Sequence, residues 1–332
     1  MIMQRRYLWD NFKFFLIFCV VLGHYSGYYT DDIENMRRLF FFLYLFHMPA
    51  FIFVSGLFSK KIINEKRWNK VLDYFIMYVF IKGILVIAER LNGGGKEFWL
   101  LEADGTEWYA FAIMVFLVMT MITRRLNPKF VFAFSIFVGC LSGYHSSNGD
   151  FLVLQRILVF YPFFYLGYLM DPDKIEAITR KKIFKILSAM ITAFTVAVVC
   201  LGINRIYGLR PLLTGRNPYS TLDEYEAIGG LLRGGYYIVV FVLIFALIAL
   251  VPTTKSIIST WGSHTLSVYV LHRAVIYFFM GMAGGGALIH IHFAGHPGII
   301  LIPAAFVTTV ILALPFWDKM LRPILHPKWK QI

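Results

Sequence analysis

Asp10, Lys13 and His24 stand on one apolar segment near the N-terminus, at spacings that place them along a single helical ridge. Lys13 and His24 are eleven residues apart. At about 100° per residue this leaves roughly 20° between them, with about 16 Å along the axis. Asp10 falls about 40° from the same line, and Cys19 about 140° from His24. A neutral imidazole, with an unperturbed pKa near 6.5, is suited to taking a proton from a hydroxyl as that hydroxyl attacks a carbonyl. It can also accept an acyl group itself and pass it on. The residues leave both routes open. Lys13 by itself reads as a cation snorkelling to an interface, whereas an ionisable ring inside an apolar helix defaults to function.

Further polar groups recur where an apolar protein should have none. Phe46-His47-Met48-Pro49 and Ser55-Gly56 share the second apolar segment. Pro49 removes a backbone donor near His47 and frees carbonyls for a polar cavity. The plainer reading is a kink with Ser55 and Gly56 as a small-residue packing face. Glu107, Trp108 and Tyr109 open the fourth segment and Arg156 the sixth, while Tyr269 and His272 fall in the middle of the ninth. His290, His292 and His296 have ligand-like spacing, but no cysteine or carboxylate stands beside them. No metal is expected.

Helices must position these groups, and the helices must lie in a bilayer. Of 332 residues, 58% are hydrophobic and 15% charged, against roughly 25% charged in soluble domains. Ten apolar stretches, at 12–29, 38–58, 71–90, 108–123, 130–146, 153–170, 184–203, 231–251, 264–281 and 299–316, approach the length that crosses hydrocarbon. The expectation is an all-α polytopic bundle of about ten spans forming one integral-membrane domain over 1–332, with no appended soluble domain. The segment 204–230 is the longest loop and could cover a site mouth.

Charge orients the bundle. The net charge is +13, and 21 of the 32 Lys and Arg residues fall in the N-terminal segment, the even-to-odd loops and the C-terminal tail. The positive-inside rule then places both termini in the cytoplasm. Arg5 and Arg6 precede the first apolar run as in a signal peptide. That run carries Lys13 and His24 and lacks a small-residue cleavage site, so it reads as a retained helix. The cations sit in short loops between apolar runs, so membrane lipids are expected partners and nucleic acid is not. Cys19, Cys140 and Cys200 all lie inside apolar runs and give no disulfide framework.

Asp10-Asn11-Phe12-Lys13, Val21-Leu22-Gly23-His24, Phe46-His47-Met48-Pro49-Ala50-Phe51 and Val54-Ser55-Gly56 closely resemble the membrane acyltransferase type 3 family, in its fucose 4-O-acetylase-like branch. Trp108-Tyr109, Arg156 to Gly167 and Leu266 to His272 fall where that family has similar segments. The resemblance implies O-acetylation of an extracytoplasmic or lipid-linked carbohydrate, a polysaccharide or glycolipid, in a bacterial plasma membrane. It makes His24 the catalytic histidine and Lys13 a required basic residue, with Asp10, His47 and Ser55 in support. Acetyl-CoA would be the acyl donor, its phosphates met by Lys66, Arg67 and Lys70 and by Arg124 and Arg125 on the same side. Lysine meets phosphate as a point charge and arginine grips it bidentately. Arg156, Glu107 and Trp108 would line an outer acceptor cleft.

Two other readings compete. Proline-broken polar spans also suit an exporter of polysaccharide or lipid-linked glycan, but the matching pair of interrupted helices that often marks such folds is not evident. His24 and His47 could instead carry haem or metal for electron transfer, which an absorbance spectrum would reveal.

Overall fold

The computed structural model describes residues 6–145, 151–293, 295–325 and 327. Arg5, the end of the fifth expected span and the tail cations Lys328 and Lys330 lie outside them. Among the described residues the protein is all-helical, apart from a lone bridge between Glu102 and Phe151. One helix occupies each expected segment: α1 (Tyr7–Ser26), α2 (Glu34–Leu57), α3 (Trp68–Leu91), α4 (Trp108–Thr123), α5 (Pro128–Leu141), α6 (Leu154–Leu169), α7 (Lys182–Ile206), α8 (Gly229–Leu250), α9 (Thr265–Tyr277) and α10 (Gly298–Leu312).

Among the described residues, six helical stretches, built on α1, α2, α3, α7, α8 and α9, are long and apolar enough to cross a membrane. A seventh candidate is the pair formed by α10 and Pro315–Leu325, bent by 64°. Pro315 cannot supply the backbone donor that would continue α10, which accounts for the break. Helices α4, α5 and α6 have 16, 14 and 16 residues. At about 1.5 Å per residue they reach about 24 Å at most, short of a hydrocarbon core of about 30 Å.

The chain separates into two compact units. The first comprises Met1–Leu43, Phe80–Phe98 and Leu250–Ile332. Here α1 is apolar around most of its circumference and packs against the short helix Ile257–Gly262, α9 and α10. Gly262 allows the closest approach, since a Cβ there would lie 1.9 Å from the Asp10 carbonyl oxygen. Asn11 locks the contact. Its amide donates to the Pro252 and Thr254 carbonyls at 2.8 and 3.1 Å and accepts from Ser259 at 2.7 Å. Farther along, Tyr25 Oη lies 3.1 Å from Thr308 Oγ1 of α10, and the Ser267 hydroxyl of α9 is shared between the His264 carbonyl at 2.7 Å and the Leu312 carbonyl of α10 at 2.8 Å. These bonds fix the rotation of α1 and α9 within the unit.

The second unit comprises Tyr44–Val79 and Trp99–Ala249. Gly56 of α2 and Gly167 of α6 bring two backbones together, since a Cβ on either would lie 2.0–2.1 Å from a carbonyl oxygen of the other helix. The small-residue packing reading of Gly56 therefore holds. The 204–230 segment is not an open loop. It folds into the short helices Tyr207–Leu209 and Arg210–Thr214 and the helical stretch Tyr219–Ile228, which is kinked at Asp223, with Leu212, Tyr219 and Leu222 as a small core. Pro211 at the start of Arg210–Thr214 presets a helical φ, a local signal that favours a turn over a coil.

Candidate active site

In the first unit, α1 is one unbroken helix, so Asp10, Lys13 and His24 do share a ridge. Lys13 Nζ lies 2.9 Å from Asp10 Oδ1, an i,i+3 ion pair that keeps the two charges together at one end. His24, near the other end and partly buried, faces His272 of α9 with ring centroids 5.3 Å apart and planes tilted by 38°. His272 is fully buried. Its Nδ1 lies 3.0 and 2.9 Å from the carbonyl oxygens of Val268 and Tyr269. Carbonyl oxygens only accept, so Nδ1 carries the proton, and in the neutral ring Nε2 keeps its lone pair. That Nε2 is buried and has no hydrogen-bond partner. Immediately after α9 the chain makes a π-helical turn, Phe278–Met282, a feature frequent at functional sites. Asn92 fastens this turn by accepting from the Met282 amide at 3.0 Å.

The remaining candidates belong to the second unit. His47 is buried beside the Tyr44 ring, edge to face at 4.7 Å. Ser55 donates to the Phe51 carbonyl at 3.0 Å and lies 2.7 Å from Tyr109 Oη. A hydroxyl has one proton, so Ser55 accepts from Tyr109, and together they tie α2 to α4. Arg156 crosses the Trp108 ring at 5.0 Å and donates to the Ala103 carbonyl at 3.0 Å. Trp108 stacks on Phe160 at 5.4 Å. Glu107, Trp108 and Arg156 thus come together, and all three are buried rather than spread along an open cleft.

The basic candidates also converge in this unit. Arg124 donates to the carbonyls of Ile63 and Asn64 at 3.0 and 3.2 Å, which brings the end of α4 against the loop holding Lys66, Arg67 and Lys70. Arg67 Nε bonds Glu65 at 2.6 Å and Lys70 pairs with Asp73 at 2.7 Å. Lys66 and Arg125 are exposed, and Lys66 adopts a left-handed backbone with φ of 49°. Three of the five candidates therefore already hold protein partners. Nearby, Asp171 caps the helix Pro172–Thr179. The amides of Asp173 and, secondarily, Lys174 hold its carboxyl below the usual range, helped by the charges of Lys60 and Lys174.

A family model for an acyltransferase domain matches residues 6–318. The chain belongs to that acyltransferase family. The match spans every candidate residue named above. The chain is also similar to nodulation protein NolL of Sinorhizobium fredii (strain NBRC 101917 / NGR234), 25% identical over 214 residues, which cover 59% of this chain and 57% of that protein. The chain thus spans little more than half the length of this relative. No solved structure matches it.

In this member of the family the sequence singled out His24 but did not assign His272 to the site. The signal was available, because the rule that marks an ionisable ring in an apolar helix applies equally to α9. What the sequence lacked was any link between two rings so distant along the chain. The histidines that follow α9 took a different course. His290 and His292 lie in the last turn of the helix Gly285–Phe293. Among the described residues, no three His, Cys, Asp or Glu side chains group as a metal site.

Proposed function

We propose that the protein transfers an acetyl group from cytosolic acetyl-CoA to a hydroxyl of a carbohydrate, a polysaccharide or glycolipid at the outer face of a bacterial plasma membrane. The observation that carries this reading is His24 facing His272, whose Nδ1 proton is committed to backbone and whose Nε2 lone pair is unused. His24 acts as general base. It takes the proton of the acceptor hydroxyl as the oxygen attacks the thioester carbonyl; the tetrahedral intermediate then collapses, the C–S bond breaks, and the CoA thiolate leaves and takes up a proton. A positioned base of this kind typically contributes about 10²–10⁴-fold. His272 positions the His24 ring by accepting an N–H from it as the site tightens, much as a carboxylate or carbonyl holds a catalytic imidazole elsewhere. An acetyl-histidine relay through His24 is the variant mechanism.

Lys13, balanced by Asp10, contributes a cation at the inner end of the ridge. Lys66 and Arg125 are the most available partners for the donor's phosphates, with Arg67, Lys70 and Arg124 shaping that surface. Arg156, Glu107 and Trp108 serve the acceptor side from beneath its surface, as a buried group in which Trp108 packs against Phe160 and Arg156. His47 supports that side as a buried polar group, and Ser55 acts through Tyr109. Ten crossings with both termini cytoplasmic complete the reading: the bias of Lys and Arg toward one set of loops supports the orientation, and the shorter α4, α5 and α6 cross where the bilayer thins around them.

Purified protein in vesicles, supplied with radiolabelled acetyl-CoA and glycan, tests the reading. Label in the glycan is the expected result. Glycan crossing the vesicle unlabelled would replace the enzyme reading of the site with the exporter.

A further inference from the structure

We propose that a groove in the second unit is a binding site for an anionic phospholipid, with one acyl chain in the groove and the phosphate on a neighbouring lysine cluster. The groove has a volume of about 330 Å³ and lies among the amphipathic helix Pro172–Thr179, the first half of α7 and the second half of α8. Ile175 and Ile178 come from the first, Phe184, Leu187 and Ile191 from the second, and Phe245 from the third. Nearly all of its surface is hydrocarbon. The Thr179 hydroxyl at its edge is already donated to the Ile175 carbonyl at 2.9 Å, so the wall offers little polar purchase to a soluble metabolite.

An extended acyl chain, which carries no hydrogen-bonding groups along its length, suits a wall that is almost entirely hydrocarbon. The helix Pro172–Thr179 presents Ile175 and Ile178 to the groove and carries Asp173, Lys174 and Glu176 elsewhere, the division expected of a helix lying in a membrane interface.

The rim supplies the charge. Arg180, Lys181, Lys182 and Lys185 follow directly on Thr179, and all are exposed. Arg180 is spent on Glu176 at 2.7 Å. Lys181, Lys182 and Lys185 make no ion pair among the described residues, and they stand within a few positions of the lining residues Phe184, Leu187 and Ser188. Three unneutralised cations beside a hydrocarbon slot match the two halves of an anionic amphiphile. Such basic sites at membrane helices recognise acidic headgroups. A zwitterionic lipid would fill the slot equally well but would gain less from the lysines.

The test uses the full-length protein in nanodiscs and in detergent, with phosphatidylglycerol and phosphatidylcholine as probes and lipid retention read by native mass spectrometry. Wild type should retain phosphatidylglycerol preferentially, by an order of magnitude or more over phosphatidylcholine. Leu187→Trp fills the groove from a half-exposed position that tolerates a larger ring, and Ile191→Trp is a second filling variant should the first fold poorly. The triple variant Lys181→Gln, Lys182→Gln, Lys185→Gln removes the rim charge. Either kind of change should reduce bound phosphatidylglycerol about tenfold. Loss in the lysine variant with full retention in both filling variants would mean surface electrostatics alone, and would overturn the site. Equal retention of the two lipids by wild type would overturn the headgroup assignment. Neither result bears on the acetyltransfer chemistry at His24, which the glycan assay reads separately.

Discussion

His24 and His47 are the same residue type in neighbouring apolar helices, yet their surroundings differ in kind. His24 is partly accessible and faces a second imidazole whose protonation is fixed by backbone carbonyls and whose free lone pair has no partner. His47 is buried against the edge of an aromatic ring, three residues away on its own helix. An imidazole in lipid is expensive in either place. The difference is in the neighbour: beside His24 stands a second imidazole with an unpartnered Nε2, beside His47 the ring of Tyr44. A histidine inside a membrane helix is therefore a weak sign of chemistry until its neighbour is known.

The sharpest break of this comparison is His24→Ala. Transfer to glycan should fall by about 10²–10⁴-fold with the protein still folded in the membrane; robust transfer by that variant would remove His24 from the mechanism. His272→Phe keeps an aromatic ring, slightly larger, and deletes both Nε2 and the Nδ1–H that bonds the Val268 and Tyr269 carbonyls. We expect kcat to fall by about 10–100-fold, within the general range for an outer partner of a working imidazole, with donor and acceptor KM little changed and the acidic limb of the pH profile displaced. An unshifted profile with only lower thermal stability would make His272 a packing residue. His47→Phe should cost less, on the order of a few-fold in rate, since a base contributes its full factor only where it meets the reacting proton. If that variant were as inactive as His24→Ala, the contrast between the two histidines would collapse.

Smaller effects probe the frame around them. Ser55→Ala removes the bond that ties α2 to α4 through Tyr109 and should cost about 1 kcal/mol in stability, read by thermal unfolding in detergent. The smallest effect concerns Asp171. Its carboxyl is held below the usual range by the Asp173 and Lys174 amides and by nearby lysine charge. The cap is therefore fully formed above the ordinary carboxylate range and is lost as pH falls through the lowered value. Fraying of Pro172–Thr179 in hydrogen exchange should begin only at strongly acidic pH, and Asp171→Ala should show it already at neutral pH.

Much of the helical frame was legible because burial in lipid demands long apolar runs with their hydrogen bonds closed internally. The 108–123 and 153–170 segments match α4 and α6 closely. The first segment was drawn from residue 12, but α1 begins at Tyr7, since the Asp10–Lys13 pair lets two charges continue the helix. The last segment hid a bend, because the 64° break at Pro315 changes direction without interrupting hydrophobicity. In the candidate site, the convergence of Glu107, Trp108 and Arg156 was anticipated from their shared side, but not their burial.

Sequence alone determined the ridge of Asp10, Lys13 and His24, because helical period is a local property that a single segment carries complete. The partnership of His24 with His272 was decided only when Asn11, Gly262, Tyr25 and Ser267 fixed how α1 and α9 are rotated in their unit. Rotation of one buried helix against another leaves no trace in hydrophobic period when both are apolar nearly all round; it is set by the few polar bonds and close backbone approaches that form after the chain has packed.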